Sequence, residues 1–137
     1  MPKLRKYEQK LFVACVEGQR EQDPEKKKWL KFRNNVESEN YIKNRVDRLF
    51  WKEKETIAWI RKFAEDSIFF DVGANIGIYC LYSAKIRKNN VYAFEPHMGN
   101  YINLLDNINE NKLYNCQAFP LALGDKTNLT TLGVKNM

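Results

Sequence analysis

Ile68-Phe69-Phe70-Asp71-Val72-Gly73-Ala74-Asn75-Ile76-Gly77 is an apolar run that ends in an acid and a glycine-spaced turn. The residues after it, through Tyr79, Tyr82 and Ile86, are apolar at helical spacing. Strand, glycine turn and helix in that order are how a doubly wound α/β fold builds a pocket for a nucleotide-like cofactor. Eighteen residues past Gly77, a second apolar run, Val91-Tyr92-Ala93-Phe94, ends in Glu95. An acid at the tip of the second strand is placed to accept hydrogen bonds from ribose hydroxyls.

The spacing bears on the cofactor class. Dinucleotide sites use G-x-G-x-x-G, which lets the backbone approach a pyrophosphate at a helix N-terminus. Here the pattern is D-x-G-x-N-x-G, with Asn75 between Gly73 and Gly77 and Asp71 at the strand end. A carboxylate repels a pyrophosphate but suits a cofactor with a cationic end, such as S-adenosylmethionine (SAM) with its ammonium and sulfonium. The residues therefore favour SAM over NAD.

Four segments carry a resemblance to a known family. They are Phe70-Asp71-Val72-Gly73-Ala74-Asn75-Ile76-Gly77, Ala93-Phe94-Glu95-Pro96, Asn107-Ile108 with Asn111, and Leu121-Ala122-Leu123-Gly124-Asp125. Together they resemble the FkbM-type SAM-dependent methyltransferases, over roughly residues 55–134. The resemblance implies a Rossmann-like class I SAM methyltransferase fold, with SAM at the C-terminal ends of the first strands. It also implies O-methyl transfer to a small-molecule or glycan hydroxyl. The cofactor-binding residues it points to are Asp71, Gly73, Ala74, Asn75, Gly77, Glu95, Pro96, Ala122, Leu123 and Asp125. No catalytic residue can be named.

Parallel strands are expected at Ser67 to Val72, Val91 to Phe94 and about Cys116 to Leu121, with a short further strand over Leu129 to Val134. Helices are expected from about Ile76 to Arg87 and from about Gly99 to Asn109. The resembled fold continues to a fourth strand that pairs with the first and carries a D-x-E-G motif, and this sequence contains no such motif. The expectation is an incomplete α/β domain, the N-terminal half of a SAM-binding domain over residues 55–137. Its first strand would have an open edge, which invites self-association or completion by a partner chain.

Residues 1–54 read as a helical, basic segment. Leu4, Tyr7 and Leu11 suggest a helix over residues 3–20, and Pro24 suits a second one carrying Trp29, Leu30 and Phe32. Ile42, Val46, Leu49 and Phe50 suggest a third, and Ile57, Ile60 and Phe63 place another over Lys54 to Phe63.

Composition narrows the class further. The chain has 137 residues and a net charge of +6. Residues 1–65 hold 17 Lys+Arg against 11 Asp+Glu, and residues 66–137 hold 6 against 6, so the excess is N-terminal. The charges are interspersed, as on a solvated surface, and nucleic acid is not the expected partner, which sets an RNA methyltransferase reading below the others. No apolar run approaches the roughly 18 residues of a membrane span. Three cysteines, Cys15, Cys80 and Cys116, fit neither a disulfide framework nor a metal site, and point to a reducing, cytoplasmic setting. Asn75 is a candidate helix cap, His97 a surface-loop residue, and Trp51 and Trp59 core residues.

Overall fold

The computed structural model describes residues 10–15, 29–34, 44–45 and 54–133. Three parallel strands form one sheet in the order β3-β4-β5: β3 (Ile68–Val72), β4 (Asn90–Phe94) and β5 (Cys116–Phe119). The register aligns Phe69 with Val91 and Val91 with Cys116, and Asp71 with Ala93 and Ala93 with Ala118. Helix α1 (Lys54–Ile60) precedes β3, α2 (Ile78–Ile86) joins β3 to β4, and α3 (Met98–Glu110) joins β4 to β5. The alternation of strand and helix, each apolar at its own period, makes this a Rossmann-like α/β unit.

Side chains alternate across β3. Phe69 and Asp71 are buried, while Ile68, Phe70 and Val72 are each about 60% exposed, at 61%, 59% and 60%. The buried face packs with Ile76, Cys80, Leu81, Tyr82, Leu104 and Ile108 into one core. On the other face Phe70, Tyr92, Phe94 and Phe119 stack across the strands at centroid distances from 5.3 to 6.4 Å. Among the described residues, no strand pairs with the outer edge of β3. Beside that edge lies an open cleft of about 440 Å³, lined by Trp59, Phe63, Ile68 and Phe70 among others. Trp59, expected in the core, is instead 55% exposed, with its ring edge-on to Phe63.

The end of the sheet away from the glycine turn is tied by one buried side chain. Asn89 accepts from Ser83 Oγ and donates to Ala64 O and Ser67 Oγ. This satisfies polar groups of the turn that leads into β3 and ties that turn to α2.

The N-terminal segment departs from its helical reading. Residues expected in the first helix form a strand, β1 (Lys10–Cys15), and those of the second form another, β2 (Trp29–Asn34). The two pair antiparallel, with Phe12 opposite Phe32. The reason is visible in β2, where Leu30 and Phe32 are fully buried and Lys31 and Arg33 between them are not. That is a period of two, and tertiary burial favoured it over weak helical spacing. Asn44 and Arg45 are helical, within the stretch expected to be a third helix; the rest of that stretch and Trp51 lie outside the described residues. No strand forms over 129–133, and Val134 lies outside the described residues.

Candidate functional site

The site is built where β3 ends. Gly73, Asn75 and Gly77 all have positive φ, of 77°, 54° and 97°. Glycine adopts this backbone freely and asparagine is the side chain that tolerates it best, so the spacing of the motif is a backbone requirement. The two glycines differ in surroundings. A Cβ at Gly73 would meet nothing within 4 Å, whereas one at Gly77 would come within 2.5 Å of Leu81 Cδ1 and 2.6 Å of Leu104 Cδ1. Gly77 is packing glycine; Gly73 has open space beside it.

Gly77 also occupies the N-cap position of α2 and has no side chain to cap it. Asp71 does so from the strand: its Oδ2 accepts the Cys80 N–H at 3.0 Å. A helix N-terminus favours a carboxylate, yet burial outweighs that here. Desolvation, opposed by the Cys80 hydrogen bond and reinforced by the nearby Glu95 charge, raises the Asp71 pKa from 3.8 to about 6. Asn75, read as a possible cap, instead takes the Ile76 N–H onto its own Oδ1 at 2.9 Å.

Glu95 is buried and holds the loop from the β4 side. Its Oε2 accepts the Asn75 N–H and its Oε1 the His97 N–H, each at 2.8 Å. Gly73 N and Ala74 N both donate to Phe94 O at 2.9 Å. The carboxylates of Asp71 and Glu95 thus lie together behind the loop. Asp71, Gly73, Ala74, Asn75, Gly77 and Glu95, named from sequence, converge here, with Pro96 in the adjoining turn. Ala122, Leu123 and Asp125 do not join them in regular structure. All three are exposed in the irregular segment after β5.

Sequence reasoning gave two residues no part in the site. His97 is half-buried and is the N-cap of α3, its Nδ1 accepting from Asn100 N at 3.3 Å. Asn107 is fully buried and donates to Ile76 O, inside the glycine loop, at 2.8 Å. The signal for Asn107 was its spacing: asparagines at 103, 107 and 111 share one face of α3, where a polar residue must find a partner.

No family model matches the chain, and no curated protein matches it. Solved structures do. The chain is similar to TYW2 of M. jannaschii, solved in complex with AdoMet, with 25% identity and a TM-score of 0.52, covering 68% of this chain and 39% of that one. It is similar to TYW2 of P. horikoshii, solved in complex with MeSAdo, with 23% identity and a TM-score of 0.52, covering 68% and 33%. A SAM-dependent methyltransferase from Aquifex aeolicus matches at 20% identity and a TM-score of 0.44, covering 57% and 41%. The chain spans between a third and about two fifths of the length of these structures. The fold is that of the Rossmann-like class I methyltransferases, represented here by three parallel strands and their helices.

Proposed function

We propose that this chain is the cofactor-binding part of a SAM-dependent methyltransferase. The observation that supports this best is the Asp71 carboxylate behind the loop. Asp71 places negative charge where a dinucleotide would bring a pyrophosphate, and an anion there would be repelled, while Glu95 suits the ribose of either cofactor. A ligand with an ammonium and a sulfonium would be attracted. The open space over Gly73 fits close approach of such a ligand to the backbone. The fold neighbours solved with AdoMet and MeSAdo bound support the same reading.

SAM would supply an activated methyl group on sulfur. This chain's residues would hold it. Gly73, Ala74 and Asn75 would lie against the ligand. Glu95, with lone pairs left on both oxygens beyond its two backbone bonds, would accept from ribose hydroxyls. Asp71 would act through its charge from beneath the loop. Ala122, Leu123 and Asp125, at the same end of the sheet, would close over the adenine side. The FkbM-type resemblance supports O-methyl transfer to a small-molecule or glycan hydroxyl.

Calorimetric titration of the chain with SAM and, separately, NAD tests this. The expected result is a SAM signal that Asp71→Ala abolishes and Glu95→Ala weakens. A folded chain that binds NAD and not SAM would overturn the reading.

A second reading is favoured by the exposed aromatic face and the open edge of β3. In it the chain is a non-catalytic remnant, or a module that works only when another chain covers that face. Parallel sheets are normally covered on both faces, and Phe70 and Val72 at about 60% exposure depart from that.

A further inference from the structure

We infer that Asn107 is a positioning residue that couples the N-terminal hairpin to the shape of the glycine loop; the inference rests on the cofactor reading above. It starts from a carbonyl just outside a helix. Gly77 is the N-cap of α2, so the Cys80 N–H, at the third helical position, has no acceptor within the helix. Asp71 Oδ2 takes that N–H, and the first bond into α2 runs from Leu81 N to Gly77 O at 2.9 Å. The Ile76 carbonyl, one residue before the N-cap, has no helical donor, and Ile76 is buried. Such a buried acceptor needs a hydrogen-bond partner.

Asn107 supplies it. Its Nδ2 donates to Ile76 O at 2.8 Å and its Oδ1 accepts from Arg33 N, in β2, at 2.6 Å. The two partners fix which way round the amide lies, because Ile76 O can only accept and Arg33 N can only donate. The loop is therefore bracketed: Asp71 from β3 takes the Cys80 donor, and Asn107 from α3 satisfies the Ile76 acceptor.

The second partner extends the bracket to the hairpin. Lys31 and Arg33 present their backbone groups on the edge of β2 that does not pair with β1. Along that edge Asn107 and Asn111 replace a neighbouring strand. Asn111 Oδ1 accepts from Lys31 N at 2.9 Å, and its Nδ2 donates to Lys31 O at 2.7 Å. The Arg33 guanidinium fastens the same edge to Glu110, at 2.7 Å from Oε2. Asn111 also accepts from Lys85 Nζ, in α2, at 3.1 Å and donates back to Asn107 O at 2.8 Å, but it makes no bond to the loop; Asn107 holds hairpin and loop with one side chain. Hairpin docking and ligand binding at the loop then favour each other, since coupling between two events on one element is reciprocal.

The test separates these roles with Asn107→Asp, Asn107→Ala and Asn111→Ala in the full chain. Asn107→Asp keeps the acceptor for Arg33 N but sets an oxygen against Ile76 O. Asn107→Ala removes both contacts without repulsion and serves if the first variant fails to fold. Two measurements are made at a temperature well below melting: amide hydrogen exchange of residues 73–78 without ligand, and calorimetric titration with SAM. The expected result is exchange at least tenfold faster and SAM affinity at least tenfold weaker in the Asn107 variants. Asn111→Ala should speed exchange in residues 29–34 more than in 73–78 and weaken SAM binding less than the Asn107 variants do. Wild-type loop exchange and affinity in the Asn107 variants would overturn the coupling and leave the cofactor reading standing. Equal losses in Asn111→Ala would also overturn it, by showing that hairpin docking alone matters. A wild-type chain that binds no SAM would remove the cofactor reading and this inference with it.

Discussion

The two faces of the three-stranded sheet are made of the same kinds of residue and meet different fates. On one face Phe69, Val91, Ala93 and Cys116 are buried under α2 and α3. On the other, Ile68, Phe70 and Val72 stand exposed, and four aromatic rings stack across the strands. Strand composition does not distinguish the faces, because a parallel strand is apolar on both. The difference shows that burial here is decided by which helices are at hand. It also shows where the chain is stable in itself and where it offers a surface.

The largest expected effect is on the covered face. Phe69→Ala should cost about 3–4 kcal/mol, the usual result of removing a buried ring that contacts other rings, here Trp59 and Phe63. Urea denaturation measures it. Phe70→Ala, one residue on, should cost less than about 1 kcal/mol. Equal costs would break the comparison and mean that the aromatic face is covered in solution.

Asp71 is the one carboxylate of β3 and lies on the covered face, so its charge is the next largest effect. Its folded pKa of about 6 is above the ordinary 3.8. Between those values the native state holds a proton that the unfolded state has lost, so stability falls as pH rises from about 4 to about 6 and then levels. The full penalty at pH 7 is about 3 kcal/mol. Asp71→Asn keeps an acceptor for Cys80 N and should raise stability at pH 7 by up to that amount, flattening the profile between pH 4 and 6. A cationic ligand prefers the ionised carboxylate, so SAM affinity should move the opposite way, strengthening as pH rises through 6. Thermal melts and titrations across pH 4–8 check both slopes.

A smaller effect concerns α3. Asn103 is 2% exposed and its Oδ1 has no hydrogen-bond partner among the described residues, while its Nδ2 donates back to Gly99 O. Asn103→Leu should leave stability unchanged or raise it by about 1 kcal/mol, because an unsatisfied buried acceptor is removed. Chemical denaturation decides. The smallest effect on stability, within about 0.5 kcal/mol, is expected for Phe70→Glu on the open face. Its consequence lies elsewhere. If the wild-type chain self-associates through the β3 edge, sedimentation at rising concentration should show this variant staying monomeric. Unchanged association would place the contact on another surface.

Much of the site was legible because its chemistry is local. Gly73, Asn75 and Gly77 need a positive φ, and each advertises that need by residue type. Asp71 and Glu95 sit at strand ends, where apolar runs stop. Their roles were less legible. Glu95 carries two backbone N–H bonds of the loop, and Asp71 caps a helix whose own N-cap is a glycine. These depend on two strands lying side by side in register. The N-terminal hairpin was misread because Leu11-Phe12-Val13-Ala14-Cys15-Val16 is apolar throughout, and such a run has no period to separate strand from helix. The alternation Leu30-Lys31-Phe32-Arg33 was the better signal.

By itself, the sequence determined the α/β order from Lys54 to Phe119 and the position of the loop at the end of β3. Apolar periodicity and glycine spacing are properties of consecutive residues, and they survive without knowledge of neighbours. Only the tertiary structure decided that β2 would be edged by Asn107 and Asn111, that one amide would reach both Arg33 and Ile76, and that one sheet face would be covered while the other was not. Each of those joins groups far apart in the chain, where a buried polar or apolar group takes whichever partner the packing brings within reach.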